Sequence, residues 1–267
     1  MAIKNQQQII LGQNFLRCSN LVRSMIQASS IEPTDTVVEI GAGRGIITGE
    51  LACIARKVIA IEKDPSLAQQ LRWQFRSVRN VEVIEKDFLQ YRICEREYKA
   101  FANIPYNITA DILRKLLYTA PTPKEAYLIL QKEAAEKFAG VPRETQFSIL
   151  AKPRFDFQIL RPLRRTDFAP VPKVDSVLLY IKKRSPPLIG DGDIALYHQF
   201  ICYGFGTWRR SLKCIFRSVF TYPQWKHLSS DLDFPLNATP TDLSFEQWLG
   251  LFDFFGTQVV EGKRRLR

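Results

Sequence analysis

Four short stretches carry the residue types that could do chemistry. Glu39-Ile40-Gly41-Ala42-Gly43-Arg44-Gly45 follows a β-branched run and opens a helical stretch. Glycines at such a turn let the backbone come close to a ligand at a topological switch point. A dinucleotide-binding G-x-G-x-x-G turn would need its third glycine where this chain has Ile46. The spacing at 41, 43 and 45 fits a nucleoside cofactor without a pyrophosphate better. Glu62 ends the next strand-like run, about 20 residues on, where a carboxylate can accept both ribose hydroxyls. Asp87 ends the third run and can receive the amino group of an adenine ring. Singly, each acid also fits a solvated or turn residue. Glycine turn, Glu and Asp at three consecutive strand ends together point to an S-adenosylmethionine site.

The fourth stretch, Asn103-Ile104-Pro105-Tyr106, follows Phe101-Ala102. An Asn/Pro turn would account for it structurally, but chemistry accounts for more. The exocyclic amine of a purine is a poor nucleophile because its lone pair is delocalised into the ring. An Asn side-chain oxygen and a neighbouring main-chain carbonyl can accept its two N–H bonds, which favours a pyramidal nitrogen with its lone pair aimed at a methyl group. Pro105 stiffens that backbone, and Tyr106 offers a ring on which a flipped base can stack. Catalysis is then mostly alignment for in-line transfer. No cysteine lies close to the motif, which argues against carbon methylation through a cysteine adduct.

The elements that must position these residues alternate. Strand-like runs at 36–40, 58–61, 81–84, 101–102 and 126–130 are separated by helical stretches near 45–55, 65–78 and 108–119. This predicts a mostly parallel sheet with helices on both faces. Phe147-Ser148-Ile149-Leu150, Phe155–Leu160 and Val174–Ile181 read as further strands, giving an antiparallel edge. Ser185-Pro186-Pro187 and Gly190-Asp191-Gly192 mark a linker, beyond which 193–205, 207–220 and 241–255 read as three amphipathic helices. The expected architecture is α/β, a class I, Rossmann-like methyltransferase domain over residues 1–184. A small helical RNA-binding domain with a basic tail follows over 185–267.

Composition narrows the class. The 267 residues are 46% hydrophobic, without an apolar run long enough for a membrane span, and the start does not resemble a secretory signal. A cytoplasmic protein is expected. Five scattered cysteines without a C-x-x-C pair, and two distant histidines, argue against a metal site. Lys and Arg total 38 against 27 Asp and Glu, a net charge of +11, which favours a polyanionic partner.

Gly12-Gln13-Asn14-Phe15-Leu16, the glycine turn, Asn103-Ile104-Pro105-Tyr106 and Phe168-Ala169-Pro170-Val171-Pro172-Lys173-Val174-Asp175-Ser176 together resemble the rRNA adenine N6-methyltransferases, over nearly the whole chain. That superfamily includes the Erm enzymes, which modify 23S rRNA and confer macrolide resistance, and the housekeeping dimethylases of 16S rRNA. The resemblance implies S-adenosylmethionine contacts at Asn14, Leu16, Gly41, Gly43, Glu62, Asp87 and Asn103. It implies contacts to the target base at Asn103, Tyr106 and Phe168, with Phe168 covering the second face of the adenine, and it implies a monomer. Ile104, the Leu243–Phe252 segment and the Arg-rich tail resemble the Erm branch, whereas Phe205–Leu212 resembles an Arg-Arg helix of the housekeeping group.

Basic residues recur at Arg161, Arg164, Arg165, Lys173, Lys182, Lys183, Arg184, Arg209, Arg210, Lys213 and the tail. They are expected to grip phosphates along a cleft beside the helical domain. Two alternatives stand beside the Erm reading: a 16S rRNA dimethylase, and a nucleic-acid-binding relative that has lost catalysis. Both motifs are intact, against the latter. A DNA adenine methyltransferase usually has Asp or Asn before Pro-Pro-Tyr, and Ile104 argues against it.

Overall fold

The computed structural model describes residues 14–206, 210–264 and 266. Gly12 and Gln13 of the N-terminal motif, Arg209, and Arg265 and Arg267 of the tail lie outside the described residues. The chain forms two compact units. The first joins the described residues up to Ala135 with Phe157–Lys183; the second joins Glu136–Asp156 with the residues from Arg184 onward.

The first unit opens with a two-residue strand, β1 (Phe15–Leu16), and a helix, α1 (Ser19–Gln27). It continues through β2 (Thr36–Ile40), α2 (Ile46–Ala52), β3 (Lys57–Glu62), α3 (Pro65–Gln74) and β4 (Val81–Glu85). Next come β5 (Lys99–Asn103), α4 (Thr109–Tyr118), β6 (Glu125–Gln131) and α5 (Lys132–Ala139). After α6 (Gln146–Ala151), which like the end of α5 belongs to the second unit, the strands β7 (Phe155–Leu163), β8 (Phe168–Ala169) and β9 (Ser176–Lys183) complete it.

The seven-stranded sheet has the order β4-β3-β2-β5-β6-β9-β7. Strands β4 to β6 run parallel, and β9 runs antiparallel to β6 from Glu125↔Lys182 to Gln131↔Ser176. This is the mostly parallel sheet with an antiparallel edge that the alternation predicts. Every residue of the central β2 is buried, as both faces are covered, while edge strand β4 leaves Glu82 and Glu85 in solvent. Strands β1 and β8 pair separately, Phe15 with Ala169 and Leu16 with Phe168, so two distant motifs meet.

Helix α1, which the sequence reading did not anticipate, buries Val22, Met25 and Ile26 at helical spacing. The run at 147–150, expected as a strand, is helix α6. Ser148 N donates to Thr145 Oγ1 at 3.1 Å and Thr145 N donates to Ser148 Oγ at 2.8 Å, a reciprocal cap that starts a helix where hydrophobicity alone is ambiguous.

The second unit contains α7 (Ile194–Phe205), α8 (Leu212–Ile215), α9 (Tyr222–Asp231) and α10 (Phe245–Gln258). Helix α9 was not predicted, although Thr221 with Gln224 forms a capping box and Pro223 sits in its first turn. Phe200, Phe216, Trp225, Trp248 and Phe255 form the centre of its core. Ile149 of α6 belongs to the same cluster, and its carbonyl accepts the Tyr197 hydroxyl at 2.8 Å. Segment 136–156 therefore groups with the helices, where a boundary drawn at 184 alone leaves it in the catalytic domain. Among the described residues no helix is long and apolar enough to cross a membrane, and no cluster of three or more His, Cys, Asp or Glu is placed to hold a metal.

Gly45 stands at the N-cap of α2 with φ of +79°, and a Cβ there would lie 2.8 Å from both Leu71 Cδ2 and Phe75 Cε2. Gly45→Ala combines left-handed strain with overpacking and is expected to cost about 1–3 kcal/mol. Urea denaturation checks this; an unchanged midpoint would mean that the turn relaxes freely.

Candidate active site

Parallel register brings the four chemical stretches to one edge. Ile40 pairs with Ile61 and with Ala102, and Glu62 pairs with Glu85, so β2 to β5 end side by side. Strand order reverses between the β3 and β5 sides of β2, and a crevice opens at that switch point. The cavity there, about 170 Å³, is lined by Gly41, Gly43, Glu62 and Asp87, by Asn103, Ile104, Pro105 and Tyr106, and by Asn14.

Glu62 is buried, and it fastens two turns at once. Its Oε2 accepts Gly43 N–H at 2.8 Å and its Oε1 accepts Asp64 N–H at 2.8 Å. Each oxygen retains a lone pair for a further donor. Gly41, with φ of +72°, would carry a Cβ that meets no atom within 4 Å, so the backbone at this turn fronts open space in the cavity. Asp87 caps the following 3₁₀ turn: Oδ1 accepts Leu89 N–H at 2.9 Å and Oδ2 accepts the Lys63 ammonium at 2.7 Å. The lysine's hydrogen bond is the main reason the Asp87 carboxyl titrates below its usual range.

Asn103 Nδ2 donates to the Asn14 carbonyl at 2.7 Å. With the nitrogen so engaged, the amide's acceptor Oδ1 has no donor among the described residues. Ile104 is buried, and its N–H donates to Ile129 O at 2.9 Å, which holds the motif as an extension of β5. Tyr106 is half-buried, with its hydroxyl 2.8 Å from Ser176 Oγ, and burial raises its pKa, so the phenol stays neutral. Phe15 follows Asn14 and lays its ring on the glycine turn; a Cβ at Gly43 would be 3.0 Å from Phe15 Cε1. The Arg44 guanidinium lies 4.7 Å from the centre of the same ring.

Two expected residues do not line the cavity. Leu16 is buried, and Phe168 is fully buried beside it in the cluster with Val22, Met25 and Phe101. In this structure the Phe168 ring has no exposed face and packs in that cluster. The register Leu16↔Phe168 explains why: pairing of β1 with β8 turns both inward. Conversely, the sequence reading missed Phe15, Lys63, Phe88, Leu89, Ile108 and Ile112 as cavity residues. Adjacency to Asn14, Glu62 and Asp87 was the available signal for the first four.

Of the basic set, Arg161, Arg164, Lys173, Lys182, Lys183 and Arg210 are exposed. Arg165 pairs with Asp175 and Arg184 with Asp156, so these two charges are partly neutralised.

Sheet and site define a class I, nucleoside-cofactor methyltransferase. A family model described as ribosomal RNA adenine dimethylase matches residues 4–256. An rRNA adenine N-6-methyltransferase of Bacteroides fragilis is 33% identical over 243 residues, 90% of this chain and 91% of the relative. A ribosomal RNA small subunit methyltransferase A of Acaryochloris marina is 31% identical over 255 residues, 91% of this chain and 94% of the relative. The crystal structure of the 23S rRNA methyltransferase ErmE superposes with a TM-score of 0.85 at 28% identity, covering 91% of this chain and all of that one. The chain belongs to the ribosomal RNA adenine dimethylase family, and is an S-adenosylmethionine-dependent rRNA adenine methyltransferase.

Glu39, just before the glycine turn, is fully buried; Thr48 Oγ1 donates to its Oε2 at 2.6 Å, and Oε1 has no partner among the described residues. Burial pushes its pKa from 4.5 up to about 8. Between those values the unfolded chain has lost a proton that the folded chain keeps, so stability falls as pH rises across the window. Glu39→Gln, neutral throughout, is expected to flatten the melting temperature between about pH 5 and about pH 8. Parallel wild-type and variant profiles would contradict a protonated Glu39.

Proposed function

We propose that the chain transfers methyl groups from S-adenosylmethionine to the N6 amine of a specific adenine in the peptidyl-transferase loop of 23S rRNA. The consequence for its host is macrolide-lincosamide-streptogramin B resistance. The observation that carries the chemistry is the Asn103 amide, whose Nδ2 is held by Asn14 at 2.7 Å while Oδ1 stays free to accept. Asn103 Oδ1 and the Ile104 carbonyl take the two N–H bonds of the target amine, and its lone pair is directed into the cavity. Pro105 fixes the backbone, and Tyr106, tied to Ser176, gives a half-buried ring for the flipped base, a stack that contributes about 1–3 kcal/mol.

The residues on the opposite wall fit a nucleoside cofactor. Glu62 receives the ribose hydroxyls, Asp87 receives the adenine amine in competition with Lys63, and Gly41 and Gly43 leave backbone room. Asn14 borders the cavity from the strap that carries it, and the buried Leu16 anchors that strap by pairing with Phe168. S-adenosylmethionine, when bound, supplies a methyl group on a sulfonium. Nitrogen attack forms the N–C bond as the S–C bond breaks, and the amine then releases a proton to solvent. The protein's part is to align and desolvate. It is expected to work as a cytoplasmic monomer, with exposed Arg161, Arg164, Lys173, Lys182 and Lys183 contacting phosphates.

Ile104 in the motif and full-length similarity to ErmE support the 23S target. The similarity to the small subunit methyltransferase keeps a second reading, methylation of small-subunit rRNA. Methyl transfer to protein-free 23S rRNA and to small ribosomal subunits, with the modified base mapped by mass spectrometry, separates them. Label in the peptidyl-transferase loop is expected; label on small-subunit adenines alone would establish the second reading. Asn103→Ala is expected to lower kcat roughly 10²–10³-fold while cofactor still binds. Wild-type turnover would remove Asn103 from the chemistry.

A further inference from the structure

Lys115 is a half-buried ammonium that the transfer chemistry does not use. It lies on α4, one turn beyond Ile112, and Ile108 and Ile112 of that segment line the cavity. Its side chain crosses to the turn that follows Asp87. The ammonium donates to Phe88 O at 2.5 Å and to Tyr91 O at 2.6 Å, and sits 4.9 Å from the centre of the Phe88 ring. Its partners are two carbonyls and an aromatic face, and among the described residues no carboxylate is bonded to it. Desolvation accordingly lowers its pKa, although the charge of Asp87 acts the other way. Burying a cation against neutral groups is costly unless the groups it joins need joining.

What it joins is the cavity wall. Asp87, Phe88 and Leu89 face the cavity from this one turn, Phe88–Gln90. The turn leaves the sheet after Glu85 and holds its shape with short local bonds: Leu89 N–H to Asp87 Oδ1, Gln90 N–H to Asp87 O and Tyr91 N–H to Phe88 O. The end of the turn also borders a second cavity of about 180 Å³, lined by Gln90, Tyr91, Arg92, Ile93, Thr119, Ala120 and Lys115 itself. Phe88 is buried, whereas Gln90 and Tyr91 keep part of their surface open on this side. Lys115 ties both ends of the turn, through the Phe88 and Tyr91 carbonyls, to the helix that carries Ile112.

We infer that Lys115 is a positioning residue for the cofactor: by fixing the Phe88–Tyr91 carbonyls it holds Asp87 at the distance a bound nucleoside requires. This rests on reading the front cavity as the S-adenosylmethionine site. Removing the ammonium releases the Phe88 and Tyr91 carbonyls and loosens the turn that Asp87 caps. The Asn103–Tyr106 side, anchored on β5 and β9, stays in place. The effect is thus directed at cofactor affinity and not at the transfer step.

Steady-state kinetics and calorimetric titration of S-adenosylmethionine distinguish the possibilities, with Lys115→Met, which keeps the aliphatic stem, and Lys115→Arg, which keeps donors. For Lys115→Met, KM and Kd for S-adenosylmethionine are expected to rise about tenfold, the equivalent of one charged hydrogen bond. The kcat at saturating cofactor and the KM for RNA should hold within about twofold, and Lys115→Arg should recover most of the affinity. Unchanged cofactor affinity in Lys115→Met would overturn the inference. So would a parallel loss of kcat, RNA affinity and melting temperature, since that is the signature of general destabilisation. If Lys115→Met does not fold, Lys115→Gln takes its place in the same titration, with the same expected and contrary results. Absence of cofactor binding in the wild-type protein, by contrast, would remove the reading of the front cavity itself.

Discussion

Parallel strands joined by helical crossovers all end on one edge of their sheet, and the site depends on that constraint. In this chain β4, β3, β2 and β5 are neighbours in that order, and their carboxyl ends carry Asp87, Glu62, the glycine turn and Asn103. Residues far apart in sequence become lining of one cavity without any of them having to reach. The Glu62 carboxylate then locks the arrangement locally, since it accepts N–H bonds from the glycine turn and from the start of the next helix. A carboxylate held by two main-chain donors cannot swing, so it presents a fixed acceptor to a ligand.

The second organising feature is the strap at Asn14–Leu16. It pairs with Phe168–Ala169, lays Phe15 on Gly43, and offers the Asn14 carbonyl to Asn103. The amide orientation on which the chemistry rests is thereby set by the N-terminal segment, not by the strand that carries Asn103. Ser176, at the start of β9, performs a similar service for Tyr106. The motif at 168–176 thus supports both the Asn14–Leu16 strap and Tyr106, through a buried pair at one end and a hydroxyl contact at the other.

Much of the sheet was legible because parallel core strands announce themselves. Thr36–Ile40 reads as a continuous apolar run around one acid, and its bounds coincide with the strand. The glycine spacing, Glu62, Asp87 and Asn103 were legible as strand ends, and the cavity gathers all four. Less was legible where tertiary context decides. Phe147–Leu150 has strand-like composition, yet a reciprocal Thr145–Ser148 cap makes it helical. Phe168 has the residue type of a stacking platform, but the β1–β8 pairing sends its ring into the core. Lys115 gave no signal at all, because its role comes from a turn 24 to 27 residues earlier that only the fold brings alongside.

The central claim is that these strand ends form one nucleoside pocket facing the Asn103 amide. A crystal structure of the protein with S-adenosylhomocysteine tests it most directly. The account predicts the ribose hydroxyls on Glu62, the adenine amine on Asp87, and the sulfur on the side of the pocket nearest Asn103. A nucleoside bound away from Glu62 and Asp87, or with its sulfur turned from Asn103, would contradict it.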